Sequence, residues 1–586
     1  MQVANLLRNT VMKCYYHHVK TLADKLTFKE VMPKIAALRE QLYSQIFSFD
    51  RLITSGEIIE ILSDVRSNLI KSYDSLYIDE IDDFIGRVYL FADHFATLDI
   101  RQDSSAHHEV LKDIFSFKWN KEYDQLKPQE KLDYLTTKTA LLRPTDFKNS
   151  LTIDTIKNIS QIKEIQSKNG ERGLHRYIIS NTENIFHVME VYALFKWCGY
   201  QDEDIKIDIV PLFETMNGMS QAVFIMKELY ENEVYRSHLE RRNKQQTIML
   251  GFSDGTKDGG YLKANWEIYK TKCALTQLSK QYGIKVVFFD GRGGPPARGG
   301  GKTHRFYASQ GSEIANENIH LTIQGQTISS IYGTTDHANY HLEQLILAAT
   351  PPKRRGNDIT EEHKTIITEL AERSYDKYLF LKSHPKFIPY LEQITTLRYY
   401  GETNIASRPT KRTEGDELTL KELRAIPFVG AWSLIRQNVP GYYGLGTAFE
   451  AFSDKPNVLK LLYEECAFFK TLIDNSIMAM QKSFFPLTEY LRHDEEFGPF
   501  WQMLKDEYEL TKKWVLYLSD QKVLMENESI SRASNLAREQ IVLPLLTIQQ
   551  YALQCLKEAD DSKRVIFDKL IIRCLFGNIN ASRNSA

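Results

Sequence analysis

Apolar residues recur at mixed three- and four-residue spacing through about the first ninety positions, with few turn signals, and predict a run of amphipathic helices over residues 1–95. The period then changes. Short runs rich in β-branched and aromatic residues stand at 96–101, 176–181, 209–214, 247–254, 286–292, 320–326 and 425–432, separated by long amphipathic stretches. Strands alternating with helical patterns are the layout of a parallel sheet with helical crossovers.

Almost all of these runs stop on a polar or charged side chain: Arg101, Asn181, Glu214, Asp254, Arg292 and Gln324. In a (β/α) barrel such ends meet on one face, where binding sites are built. The expected fold is therefore α/β, a TIM-like (β/α)8 barrel over residues 96–444 within a predominantly helical chain. The seven runs are one short of closure. Beyond Gly444 the stripes Val458, Leu461, Leu462, Cys466, Phe469 and Phe567, Leu570, Ile571, Cys574, Leu575 predict packing helices, so residues 445–586 are expected to form a helical domain. Two linker-like segments, 351–356 and 407–412, are rich in proline, lysine and arginine.

Composition narrows the function classes. Lys and Arg number 74 against 76 Asp and Glu, a net charge of -2, so no global basic field draws nucleic acid or an acidic membrane surface. Anion binding has to be local. The six cysteines are far apart and form no C-x-x-C, as expected of reduced core thiols in a cytoplasmic protein. No apolar run reaches the roughly 18 residues of a membrane span, and the amino terminus has no signal-peptide pattern.

The candidate chemistry centres on residues 288–301, where Gly291, Gly293, Gly294, Gly299, Gly300 and Gly301 accompany Arg292 and Arg298 behind an apolar run. Glycine lets backbone N–H groups approach an anion, and guanidinium forks match phosphate and carboxylate oxygens, so the segment predicts a strand feeding an oxyanion loop. Gly301-Lys302-Thr303 imitates the end of a nucleotide-binding P-loop, but the position that loop needs as glycine is Pro296, which has no N–H. Glu214 and Asp254, each at the end of a predicted strand and without nearby His or Cys, suit a hard cation such as Mg²⁺ or Mn²⁺. For Asp254 alone the competing reading is a helix N-cap. Arg101 and Arg436 add guanidinium groups, and together these residues imply a small, multiply charged anion carrying phosphate and carboxylate.

These motifs resemble phosphoenolpyruvate carboxylase. LDIRQDS from Leu98, PLFETM from Pro211, GFSDGTKDGG from Gly251, FFDGRGGPPARGGG from Phe288, QGQ from Gln324, SRPTKR from Ser407 and LRAIPFVGAWSLIR from Leu423 follow the family's order. The resemblance implies an enzyme that joins bicarbonate to phosphoenolpyruvate through carboxyphosphate and an enolate, with Mg²⁺ or Mn²⁺. It implies Glu214 and Asp254 as metal ligands, and Arg101, Arg292 and Arg436 around the substrate phosphate. Lys257 and Arg298 would handle bicarbonate or carboxyphosphate, and Arg424 matches the arginine opening the last motif. The segment 294–301 would act as a lid. A homotetramer is the family's usual assembly.

Three departures qualify it. No TAHPT-like motif with the family's catalytic histidine occurs, and His384 lies where the family has no active-site group. The expectation is an amino-terminally shortened chain whose barrel lacks its first strand and which is inactive by itself. Asp290 replaces the family's usual histidine, and Gln326 its glutamate. Of the family's aspartate feedback site, Lys482, Arg298 and Asn584 match, while the remaining arginine falls near Cys555–Lys557 without a clear counterpart. A second reading is a non-catalytic phosphoenolpyruvate-binding or regulatory subunit that complements a separate amino-terminal chain. A dikinase or mutase barrel is disfavoured, because those lack the glycine segment with two arginines.

Overall fold

The period-3.6 stripes at the amino end fold as four helices, α1 (Gln2–Lys25), α2 (Met32–Phe47), α3 (Ser55–Ser72) and α4 (Ile78–Phe91). The third shows why. Thr54 and Glu57 form a capping box that satisfies N–H groups at its start, and Ile58, Leu62, Val65 and Leu69 then fall on one buried face. That face joins Ile35, Leu38 and Leu42 of α2 and Ile81, Phe84 and Val88 of α4 in a single apolar cluster.

The structure is a computed structural model that describes residues 2–324, 326–350, 358–402, 420, 423–557 and 559–582. The linker-like segments 351–356 and 407–412, the side chain of Gln326, and Asn584 lie outside the described residues. The chain divides into two units, residues 1–211 with 231–244, and residues 212–230 with 245–586.

In the first unit, β1 (Leu98–Asp103) and β2 (Leu174–Ser180) run parallel with Arg101 opposite Ile178, and β2 pairs in turn with the opening residues of β3 (Asp208–Phe213). In the second, Leu212 and Phe213 pair with Met249 and Leu250 of β4 (Gln245–Gly251). Strand β4 runs beside β5 (Lys285–Gly291) from Gln245↔Lys285 to Gly251↔Gly291, and β5 pairs with β6 (His320–Leu321). All of these pairings are parallel. Strands β4 and β5 are buried along almost their whole length, which explains their near-continuous apolar runs. The result is a mostly helical α/β chain with six parallel strands among the described residues. Among those residues no helix is long and apolar enough to cross a membrane.

Two predicted strands differ. Residues 425–432 form a helix, Ala425–Ser433, in which Ala425, Pro427, Phe428, Val429, Gly430, Ala431 and Trp432 are all buried. A short run apolar on every side carries no period, and Pro427 lies in the first turn, where its missing N–H has no helical partner to lose. Arg436 consequently follows a helix and not a strand. The run at 320–326 shortens to His320–Leu321, and a helix, Gln326–Tyr332, begins at its far end.

Packing at the strand tips is tight. A Cβ on Gly251 would lie 2.4 Å from Glu214 Cβ, whereas one on Gly86, inside α4, would have nothing within 4 Å. Gly251→Ala is therefore expected to cost about 1–3 kcal/mol by overpacking. Gly86→Ala should add about 0.5–1 kcal/mol by removing backbone freedom from a helix interior. Urea unfolding followed by circular dichroism should show midpoints moving in opposite directions; a Gly251→Ala midpoint equal to wild type would contradict the packing described.

Candidate active site

Glu214 follows β3 directly and is 2% exposed. One residue past the Phe213↔Leu250 pair it comes level with Gly251, which pairs with Gly291. The row Glu214, Gly251, Gly291 gives the carboxylate room that any β-carbon on Gly251 would take. The helix Phe252–Gly259 starts at once and carries Asp254 in its first turn, where the N-terminal dipole favours a negative charge. Gly251 occupies the N-cap, so Asp254 is neither strand end nor cap.

Lys257 lies in the last turn of the same helix, 7% exposed. Its ammonium donates to the Leu423 carbonyl at 2.7 Å and stands 3.9 Å from Asp254 Oδ1. This tether fixes the backbone just ahead of Arg424, the half-buried residue that precedes the helix Ala425–Ser433.

The glycine segment does not form the expected N–H cradle. Gly293 N–H donates to Arg298 O, Arg298 N–H and Gly300 N–H to Pro295 O, and Gly299 N–H to Pro296 O, so these donors are consumed within the loop. Its glycines serve close approach instead. A Cβ on Gly299 would lie 2.6 Å from the Phe252 ring, and one on Gly301 2.2 Å from Asn475 Oδ1, and both residues have positive φ. Lys302, the would-be P-loop lysine, pairs with Glu528 at 2.9 Å, as does Arg305, anchoring the carboxyl end of the segment.

Arg292 is 3% exposed. Its Nε donates to Gly299 O at 2.5 Å and its guanidinium carbon lies 4.1 Å from the centre of the Phe306 ring. Nη1 is buried with no hydrogen-bond partner. Burial lowers its pKa, with Tyr307 and Asp290 pulling the other way. Arg298 is 2% exposed and donates to Ser253 Oγ at 3.0 Å and to Gln324 Oε1. Burial brings its pKa down to about 10, against the pull of Asp254.

Arg436 turns elsewhere. Its backbone is left-handed at φ 54° and its guanidinium pairs with Glu539 at 2.8 Å. Lys482 lines a cavity with Pro295, Pro296 and Ala297, next to Arg298 in sequence. Burial, then the fields of Arg436 and Arg538, push its pKa down to about 8 while Glu539 raises it. The structure thus puts Arg538, in the helix Ser529–Cys555, beside Lys482, well ahead of the stretch near Cys555–Lys557 where the sequence pointed. Arg101 sits half-buried on β1 of the first unit.

Among the described residues no group of three or more His, Cys, Asp or Glu gathers around one point. Glu214, after β3, and Asp254, in the helix after β4, are nevertheless donors that suit a magnesium-like ion, which usually takes one or two protein carboxylates and completes its shell with water and substrate oxygens. Sequence reasoning missed Lys272 and Tyr307: the Tyr307 ring faces both the Lys272 ammonium and the Arg292 guanidinium. The available signal was a lysine on the buried face of the helix Tyr261–Gln281, between Tyr269 and Leu275.

The family model for phosphoenolpyruvate carboxylase matches residues 3–582. A phosphoenolpyruvate carboxylase of Corynebacterium diphtheriae is 31% identical over 527 residues, covering 85% of this chain and 58% of the relative. One of Prochlorococcus marinus is 31% identical over 517 residues, covering 84% of this chain and 52% of the relative. The chain thus spans a little over half the length of these curated relatives. With strand-tip carboxylates, buried arginines and a match along nearly its whole length, the chain belongs to the phosphoenolpyruvate carboxylase family.

Proposed function

We propose that the chain is the metal- and phosphoenolpyruvate-binding part of a phosphoenolpyruvate carboxylase, which converts phosphoenolpyruvate and bicarbonate to oxaloacetate and phosphate. One observation carries the reading: Arg292 is buried, held by a carbonyl and an aromatic face, with Nη1 unpartnered. A guanidinium held that way keeps its charge for a phosphate or carboxylate oxygen. Family membership supports the reading further. We extend it to a (β/α)8 barrel for the parallel strands, a cytoplasmic location and a homotetramer.

Mg²⁺ or Mn²⁺, held by Glu214 and Asp254, would supply Lewis-acid stabilisation to charge developing on the enol oxygen. Arg292, with Arg436, would bind the phosphate and offset its equatorial charge. A bicarbonate oxygen attacks phosphorus as the bond from phosphorus to the enol oxygen breaks. Lys257 and Arg298 would retain the carboxyphosphate so formed, with Arg424 at the mouth of the last motif. Carboxyphosphate releases CO₂ and phosphate, and CO₂ joins the enolate carbon to give oxaloacetate. Residues 294–301 would exclude water meanwhile. Arg436 has to leave Glu539 to take part. Arg298, Lys482 and Arg538, with Asn584, would receive aspartate, and Glu539 lies among these cations as an internal carboxylate.

A second reading is a phosphoenolpyruvate-binding subunit without turnover of its own. Both readings require metal and substrate binding. Manganese titration by electron paramagnetic resonance should show Glu214→Gln weakening Mn²⁺ by at least about tenfold. Oxaloacetate should form only when a histidine-bearing segment is added. Unchanged Mn²⁺ affinity would remove the metal assignment, and turnover by the chain alone would remove the need for the histidine.

The lysine at about 8 sets a pH window. Its charged form binds the anion, so aspartate affinity should be level below that pH and fall about tenfold per unit above it. Glu539→Gln, by removing the competing carboxylate, should tighten aspartate. Calorimetry that finds a flat profile from about pH 7 to 9.5, or weaker binding in the variant, contradicts the assignment.

A further inference from the structure

Asp290 and Lys272 are each 1% exposed, and neither has a part in the chemistry above. Lys272 Nζ donates to Asp290 Oδ2 at 2.9 Å and lies 2.7 Å from Oδ1. The Tyr307 hydroxyl donates to Oδ2 at 2.8 Å. The same aromatic groups serve two cations: Lys272 stands 5.5 Å from the Phe306 ring centre and 6.0 Å from that of Tyr307, while Arg292 stands at 4.1 and 5.9 Å.

A buried carboxylate two residues from a buried guanidinium would ordinarily pair with it, because attraction is strong where water is excluded. No such pair forms here. Asp290 is engaged by Lys272 and Tyr307, Arg292 rests on a carbonyl and a ring, and Nη1 remains unpartnered. The buried Asp290 carboxylate brings a negative charge, and Lys272 and Tyr307 neutralise it locally.

We propose that Lys272 is a positioning residue for anion binding: it holds Asp290, and Arg292 thereby keeps its positive charge for the substrate phosphate. The inference rests on the function proposed above, in that it takes Arg292 as the phosphate-binding group. The proposed function assigns neither Lys272 nor Asp290 a contact with substrate. Their charges matter only relative to each other, which a packing role would not require.

Calorimetric titration of phosphoenolpyruvate and of inorganic phosphate into the whole chain separates the cases. Lys272→Gln should weaken both ligands by about tenfold, since Asp290 then turns to Arg292. Lys272→Gln with Asp290→Asn should recover wild-type affinity to within about threefold, because removal of both charges leaves Arg292 unpaired. Asp290→Asn alone should bind no more weakly than wild type, and it remains decisive if Lys272→Gln fails to fold. Lys272→Gln binding as wild type, a double variant that binds no better than a folded Lys272→Gln, or a loss of affinity in Asp290→Asn overturns the proposal. A wild-type chain that binds neither ligand overturns the proposed function and this inference with it.

Discussion

Presenting a buried cation to a ligand requires holding it with groups that do not cancel its charge. Arg292 meets that constraint through the Gly299 carbonyl and the Phe306 face. Burial disfavours the charged state, and the nearby Tyr307 and Asp290 limit the loss alongside a hydrogen bond and an aromatic face, without an ion pair to the guanidinium. Three other cations of the second unit are held differently. Lys302 and Arg305 share Glu528, and Arg436 takes Glu539, so these cations are neutralised by ion pairs. The contrast separates cations held in ion pairs from Arg292, to which anion binding is proposed above.

Glycine makes this arrangement possible, by its size more than by its donors. Gly251 admits Glu214 at the tip of β3, Gly299 admits the Phe252 ring, and Gly293 lies against the Arg298 side chain. Within the loop, carbonyls of Pro295, Pro296 and Arg298 take up the N–H groups of Gly293, Arg298, Gly299 and Gly300, which ties the loop to itself. Rigid placement of donors is what lets a site stabilise developing charge without reorganising.

Much of this was legible in the sequence, and the reasons for success and failure are local. The strand tips at Glu214 and Arg292 fall within one residue of the reading, because alternation between apolar runs and amphipathic stretches reflects burial on both faces of a parallel ladder. The run at 425–432 misled for the same reason: wholly buried helices and strands share an apolar composition. The glycine loop suggested an N–H cradle, since composition shows backbone freedom but not where each N–H points. Lys272 and Arg538 went unnoticed because long-range pairing of a helix lysine with a strand carboxylate, or of a distant helix with Lys482, leaves no trace in spacing. Asp290 was visible as a departure, and the coordinates supply its partner.

The most direct test of the central claim is anomalous diffraction from a crystal of the chain soaked with Mn²⁺ and phosphoenolpyruvate. The account expects a manganese peak between the carboxylates of Glu214 and Asp254, with the substrate phosphate hydrogen-bonded to Arg292 Nη1 and Asp290 still on Lys272. A guanidinium of Arg292 paired with Asp290, or a phosphate bound away from both, would contradict it.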